Sequence, residues 1–296
     1  MINNYFLIGS SGFVGSNFQK YFENKSIRPF QRGEDLAIYD EDLIIHLAGK
    51  AHDLKNTASS QEYYEVNTEL TKKIFDAFLA SKAKVFITLS SVKAVADQVE
   101  GELTEQHHPN PVTHYGKSKL LAEQYIFSKE IPVGKRVYIL RPCMIHGPGN
   151  KGNLNLLYKI VSKNIPWPLG AFENRRSFCS IDNLMFIFKE LIERGDIPSG
   201  IYNVSDDEPL STNELIGLIA KSQNRNPKFW NFSKKCIGGV ASIGDKLHLP
   251  LNTERLQKLT SSYVVSNAKL KAAIGKPLPV SSREGLLKTF KSFNNQ

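Results

Sequence analysis

The stretch Gly9-Ser10-Ser11-Gly12-Phe13-Val14-Gly15 constrains this chain more than any other. It follows the apolar, β-rich run Tyr5-Phe6-Leu7-Ile8 and leads into a helix expected near Gly12 to Asn24. A strand, a glycine turn and a helix in that order bring bare backbone N–H groups to a helix N-terminus, the geometry that receives a pyrophosphate. The first half of the chain then repeats the alternation. Leu43 to Leu47 and Val85 to Leu89 read as strands, with a helix near Gln61 to Ala80 between them, then a helix over Tyr115 to Phe127 and a strand over Val137 to Leu140. Alternation of this kind implies βαβ units and a parallel sheet, hence an α/β fold. In the second helix Tyr63, Val66, Leu70, Ile74 and Phe78 recur at helical spacing and read as core.

Beyond Pro142 the glycines and prolines from Gly147 to Gly170 read as a loop-rich, ligand-contacting stretch. The last part of the chain reads as a smaller region packed on the sheet. Between Arg32 and Asp42 there is little room for a helix and a further strand, so the strand near Ile27 is expected at the sheet edge, where Pro29 is tolerated.

Of the 296 residues, 38 are Lys or Arg and 29 Asp or Glu, a formal charge of +9 that suits a nucleic acid, an anionic surface or a phosphorylated small molecule. The basic residues read as scattered, without an aromatic and basic platform, so neither a nucleic-acid nor a membrane partner is expected. Cys143, Cys179 and Cys236 have no paired spacing, which fits reduced thiols. The run Ile2 to Val14 lacks a positive flank and is broken by glycine, unlike a signal peptide. No apolar run reaches the ~18 residues of a membrane helix, and a cytoplasmic enzyme is expected. Cys143 with His146, and His107 with His108, fall short of a closed zinc site, so no metal is expected. His46 and His52 read as strand-end and cleft-edge residues.

The chemistry-bearing residues lie at strand ends and on one helix. Tyr115 and Lys119 stand four apart, on one helical face, and Ser90-Ser91 follows the strand ending at Leu89. A phenol with a reference pKa near 10 works near neutrality only beside a positive charge, which Lys119 supplies. The end of the second strand, Phe30-Gln31-Arg32, lacks the carboxylate that holds a ribose 2′-hydroxyl. Arg28 or Arg32 faces a 2′-phosphate instead, or both are solvated, and the reading leans to NADP(H) over NAD(H).

Together the glycine turn, His46-Leu47-Ala48-Gly49 and the Ser91, Tyr115, Lys119 trio resemble the extended short-chain dehydrogenases/reductases over nearly the whole chain. The resemblance implies a Rossmann-like doubly wound parallel sheet with a smaller C-terminal substrate-binding region. Residues 1–150 would bind dinucleotide with 177–204 returning to them, and 151–176 with 205–296 would bind substrate. It implies that Gly9, Ser11, Gly12, Phe13, Val14, Gly15, Leu47, Ala48 and Gly49 contact the cofactor. Ser91 would hydrogen-bond the substrate oxygen, Tyr115 would exchange its proton, and Lys119 would hold the nicotinamide ribose and tune Tyr115.

Leu140-Arg141-Pro142 with Gly147-Pro148-Gly149, and Arg176-Ser177-Phe178 with Ile181-Asp182-Asn183, resemble the branch acting on nucleotide sugars. There Arg176 would grip the diphosphate, with Arg175 as fallback, and Lys93 and Asn153 would contact substrate, while Arg255 reads as an exposed helix arginine. Val92-Lys93-Ala94 replaces the Asp-Glu pair of 4,6-dehydratases, and Ala94-Val95-Ala96 stands where 4-epimerases often carry Val-Tyr-Gly. The resemblance therefore implies a 4-ketoreductase of a nucleotide-diphosphate sugar for surface polysaccharide, with a 4-epimerase as rival and a non-catalytic dinucleotide sensor or scaffold as the reading of another class. A homodimer through helices flanking the sheet is implied in the same way.

Overall fold

The computed structural model describes residues 2–31, 33–50, 59–150, 152–247 and 252–294, with the side chains of Asn153, Lys246, Arg255 and Lys258 outside the description. In chain order the first half comprises β1 (Asn4–Ile8), α1 (Phe13–Tyr21), β2 (Ser26–Pro29), β3 (Leu43–His46), α2 (Ser60–Tyr64), α3 (Leu70–Ala80), β4 (Val85–Leu89), β5 (Glu102–Leu103), α4 (His114–Phe127) and β6 (Arg136–Pro142). There follow β7 (Met144–His146), α5 (Asn153–Ser162), β8 (Phe178–Ser180), α6 (Ile181–Glu193), β9 (Gly200–Val204) and α7 (Thr212–Ser222). The chain closes with α8 (Lys234–Leu247), α9 (Thr253–Thr260), β10 (Val264–Val265), α10 (Ala268–Ile274) and α11 (Ser282–Phe293).

Six strands form one parallel sheet in the order β2-β1-β3-β4-β6-β9. Successive side chains of a strand point to opposite faces, and here both faces are covered. Tyr5, Leu7, Leu43, Ile45, Val85, Ile87, Tyr138 and Leu140 pack into a core with α1 and α6. Phe6, Ile8, Ile44, Phe86, Val137 and Ile139 pack on the other side with Ile74, Phe75 and Phe78 of α3 and Ile126 of α4. Burial on both sides explains why these strands read as unbroken apolar runs.

β2 pairs with β1 alone, so Pro29 lies on an edge strand as the sequence implies. Residues 33–42 reach β3 with neither helix nor strand, and Leu36 and Ile38 pack under the sheet instead. The stretch after Pro142 departs from its loop-rich reading, because it contains α5. Leu154, Leu157, Tyr158 and Val161 recur at helical spacing there and join a second core with α7, α8 and α11.

The two cores are tied by a parallel pair, β7 with β8. Beside it Asp206 accepts from the Ser180 N–H at 3.0 Å and from Asn183 Nδ2 at 2.7 Å. Buried His146 sits 3.5 Å from Asp206 through Nε2 and 2.9 Å from Thr289 Oγ1 of α11 through Nδ1.

The glycine turn is set by contact. Gly9 has φ +90°, and a Cβ there would lie 2.4 Å from the Ala48 N, while one at Gly15 would lie 2.1 Å from the Gly9 O. At Gly12 the nearest atom would be 3.5 Å away, ordinary contact. Gly9→Ala and Gly15→Ala will therefore each cost about 1–3 kcal/mol or more of unfolding free energy. Gly12→Ala will change it by less than about 1 kcal/mol, all measured by denaturant titration.

Candidate active site

In a parallel sheet all carboxyl ends share one edge, and the register puts Ile8, His46, Thr88 and Ile139 level with one another. The chain leaves β1 toward β2 on one side and returns through β3 and β4 on the other, so the edge beside β1 and β3 is a topological switch point, where ligands bind in open α/β sheets. Gly9 to Gly15, Leu47 to Gly49, Ser90-Ser91 and Arg141-Pro142 emerge there or just inside.

The α1 N-terminus is capped by Gly12, which has no side chain to offer the first N–H groups. Phe13 and Val14 pack on the first core, so backbone N–H is what they present to the turn. Ser11 is exposed. A turn in which Gly9 and Gly15 are fixed by close internal contact while Gly12 meets only ordinary contact fits a pyrophosphate approaching Gly12.

Tyr115 lies in the first turn of α4, where the Thr113 hydroxyl accepts from the Gly116 N–H at 3.2 Å. Gly116 lets the helix close on the Ser91 turn, since a Cβ would lie 2.3 Å from the Lys93 O. The Ser91 hydroxyl is near enough to the Tyr115 hydroxyl to favour its ionised form, and the Tyr63 ring packs edge-on at 6.3 Å. Burial, helped by Tyr63, pushes the Tyr115 phenol above its ordinary value, with Ser91 opposing.

One turn on, the Lys119 ammonium is buried and donates to the Leu89 O at 2.9 Å. Burial lowers its pKa to about 8 against the pull of Glu123. It approaches so close to Gly49 that a Cβ there would meet Nζ at 2.9 Å and Asn67 Oδ1 at 3.1 Å. Ser91, Tyr115, Lys119 and Gly49 are thus brought together.

Asn67 and Glu123 also shape the site and escape sequence reading, and Arg141 gains a partner the sequence does not mark. Asn67 is fully buried in a π-helical turn, Glu65–Glu69, joining α2 to α3, the kind of insertion that often marks functional sites. It accepts from the Lys50 N–H at 2.8 Å and donates to Ser118 Oγ at 3.0 Å, tying the coil after β3 to α4. Glu123 stands one turn beyond Lys119, takes Arg141 Nε at 2.9 Å and a second guanidinium bond, and accepts from Ser90. Arg141 thereby fixes the end of β6 to α4. The sequence signal for Glu123 is its place four residues after Lys119 on the same face.

His46 lies beneath, its Nε2 2.9 Å from Thr71 Oγ1. Burial and the neighbouring Lys119 hold its pKa down at about 3, so it is neutral. Burial raises the Cys143 thiol well above its usual range, leaving no thiolate for nucleophilic work. His52 lies outside the described residues.

The remaining candidates stand apart from the trio. Lys93 donates to the Asp97 O at 2.9 Å and lies 4.2 Å over the Tyr263 ring. Arg176 is half-buried, its backbone bonded both ways to Leu210, and burial lowers its pKa. Among the described residues no acid pairs with its guanidinium, whereas Arg175 is exposed. Asn153 opens α5 and Arg255 lies on α9, with their side chains outside the description.

Arg28 is engaged within the chain. It pairs with Glu41, donates to the Ala37 O at 2.6 Å and lies 3.9 Å over the Phe6 ring. The guanidinium expected at a 2′-phosphate is therefore spent on the edge of the sheet, and Arg32 lies outside the described residues.

A buried cation without a contacting carboxylate destabilises the fold below its shifted pKa. Between about 8 and the ordinary ~10.4 the unfolded chain holds the Lys119 proton and the folded chain does not, so stability gains as pH rises through that window. Lys119→Met will raise unfolding free energy at pH 7 by on the order of 1–3 kcal/mol, an advantage that shrinks above pH ~8 in denaturant titrations.

Comparison with known proteins agrees with this geometry. The description "NAD dependent epimerase/dehydratase family" matches residues 34–205. The chain is 28% identical to a UDP-glucose 4-epimerase of Vibrio cholerae over 97% of this chain and 94% of the relative. It is 26% identical to a GDP-6-deoxy-D-mannose reductase of Pseudomonas aeruginosa, over 74% and 80%. Its fold matches the solved UDP-glucuronic acid 4-epimerase of Bacillus cereus in complex with NAD, with a TM-score of 0.74, 19% identity and 99% of both chains covered. With more than half of its length under the family description, and Ser91, Tyr115 and Lys119 inside that span, this chain belongs to the NAD dependent epimerase/dehydratase family and is an enzyme.

Proposed function

We propose that the enzyme reduces the C4 ketone of a nucleotide-diphosphate sugar with NADP(H), as a 4-ketoreductase serving surface polysaccharide. The observation that carries the reading is the Ser91–Tyr115 hydroxyl pair with buried Lys119 one turn behind, at the carboxyl edge of the sheet. Relatives include both a reductase and a 4-epimerase of nucleotide sugars, which supports chemistry at one sugar carbon.

The turn Gly9 to Gly15, with the coil Leu47 to Gly49, would hold the dinucleotide, and Tyr115 with Lys119 would hold its nicotinamide ribose. A reduced nicotinamide, when bound, supplies the hydride. Ser91 orients the sugar oxygen by a hydrogen bond. Tyr115 gives its proton to that oxygen as the hydroxyl forms. The Lys119 ammonium stabilises the phenolate left behind, because a cation close by favours the charged form of an acid. Burial and Tyr63 raise the Tyr115 phenol, and a cation close by would bring it back toward a working range.

Arg176 would take the sugar-nucleotide diphosphate. A half-buried guanidinium without an acid partner among the described residues is a ready bidentate site for two phosphoryl oxygens. Lys93 and Asn153 are proposed beside it.

A 4-epimerase is the second reading, favoured by Arg28, whose pairing with Glu41 removes one of the two guanidiniums that argue for a 2′-phosphate. The same trio would then oxidise C4 and reduce it from the other face.

Cofactor extracted from fresh protein separates the two. A reductase will purify largely empty and oxidise NADPH only when given a 4-keto nucleotide sugar. NAD retained without exchange, with C4 epimers interconverting, would replace the first reading by the second. Tyr115→Phe will lower turnover by about 10²–10⁴ in either case, and unchanged turnover would remove Tyr115 from the mechanism. Arg176→Ala will raise KM for the nucleotide sugar by about 10–100-fold with little change in kcat, as expected for a lost charge-assisted contact.

A further inference from the structure

Although the basic residues read as scattered along the whole chain, Lys221, Arg225, Lys228, Lys234, Lys235 and Lys246 fall within 26 residues that hold one acid, Asp245. The same segment carries an unusual surface. A short backbone ribbon fixes its start: the Trp167 N–H donates to the Lys228 O at 2.8 Å, and the Trp230 N–H to the Trp167 O at 2.9 Å. Beyond this tie Trp230 and Phe232 are 49% and 48% exposed, with their rings edge to face at 5.6 Å.

α8 then begins. Ile237 and Ala241 on one face bury into the second core, which fixes the roll of the helix. The adjoining flank of the helix presents Val240, Ile243 and Leu247, whose spacing of three and four residues makes one stripe, at 51%, 54% and 64% exposure. The apolar surface of the helix thus runs on from the buried face into solvent, where a surface helix ordinarily turns polar residues outward.

An outward aliphatic stripe, two aromatic rings at its head and lysines alongside are the makings of a segment lying in a lipid interface. The apolar groups enter the acyl boundary while the ammonium groups meet anionic headgroups. The charge sign selects the occupant, since a purely apolar partner groove would gain nothing from the lysines.

We propose that the face formed by Trp230, Phe232 and α8 docks this enzyme on an anionic lipid surface. The proposal is independent of which reaction the site performs.

The two tryptophans allow a direct test, because Trp167→Phe leaves Trp230 as the sole reporter. Titrating that full-length variant with phosphatidylglycerol vesicles will shift its emission to the blue and carry it upward in flotation. Phosphatidylcholine vesicles will do neither, and added salt will weaken the effect. Ile243→Glu will lower vesicle binding by about tenfold or more and leave melting and turnover of a soluble nucleotide sugar unchanged.

Should Trp167→Phe fail to fold, flotation of the wild-type chain against Ile243→Glu decides the matter. Absence of binding to phosphatidylglycerol, or equal binding by Ile243→Glu, overturns the proposal. So does light scattering in which Ile243→Glu turns a dimer into a monomer without altering flotation, since the stripe would then seat a second copy. An enzyme lacking the proposed reductase activity would leave every vesicle result unchanged.

Discussion

Lys119 holds a positive charge away from water, and much of the neighbouring structure follows from keeping it there. An ammonium group transferred to a poorly solvated site is strongly disfavoured unless polar groups replace its lost water. The Leu89 carbonyl does so directly, at the point where β4 ends. Glu123 contributes attraction from one turn away while its own oxygens are taken up by Arg141 and Ser90. Lys119 is therefore attracted without being captured. A carboxylate in direct contact would fix its proton. Because Arg141 ends β6 and Glu123 lies on α4, the electrostatics that tune the lysine also join strand to helix at the working edge of the sheet.

The main features of this fold were legible because they depend on short-range patterns. Strands buried on both faces appear as unbroken apolar runs, and the turn after β1 is marked by glycines that local contact requires at Gly9 and Gly15. Ser91, Tyr115 and Lys119 were legible for a similar reason, since a strand end and a four-residue helical spacing locate them. Asn67 was hidden by the method that found its helix. Reading apolar spacing treats a polar residue on the buried stripe as a gap, and the π turn around it shifts the helical phase in a way no spacing rule marks.

Glu123 with Arg141, and Arg28 with Glu41, show a different limit. Each pair joins residues 18 or 13 positions apart, strand to helix in the first case and strand to coil in the second. In the sequence they look like ordinary surface charges, so Arg28 read as free for a phosphate. α5 was obscured by the glycines and prolines on either side, whose breaking signals outweighed ten residues of helical pattern.

The two cores are knitted together by the β7–β8 pair, by Asp206 bridging Ser180 and Asn183, and by His146 reaching Thr289 on the last helix. These ties come from four separate regions of the chain. The second core itself is assembled from residues on both sides of the sixth strand of the main sheet. No single cut would therefore free the second core as a self-contained module, and no single junction would accept a replacement from elsewhere. The interleaved chain makes the two cores one inseparable unit, open to change by substitution in place and closed to the exchange of whole modules.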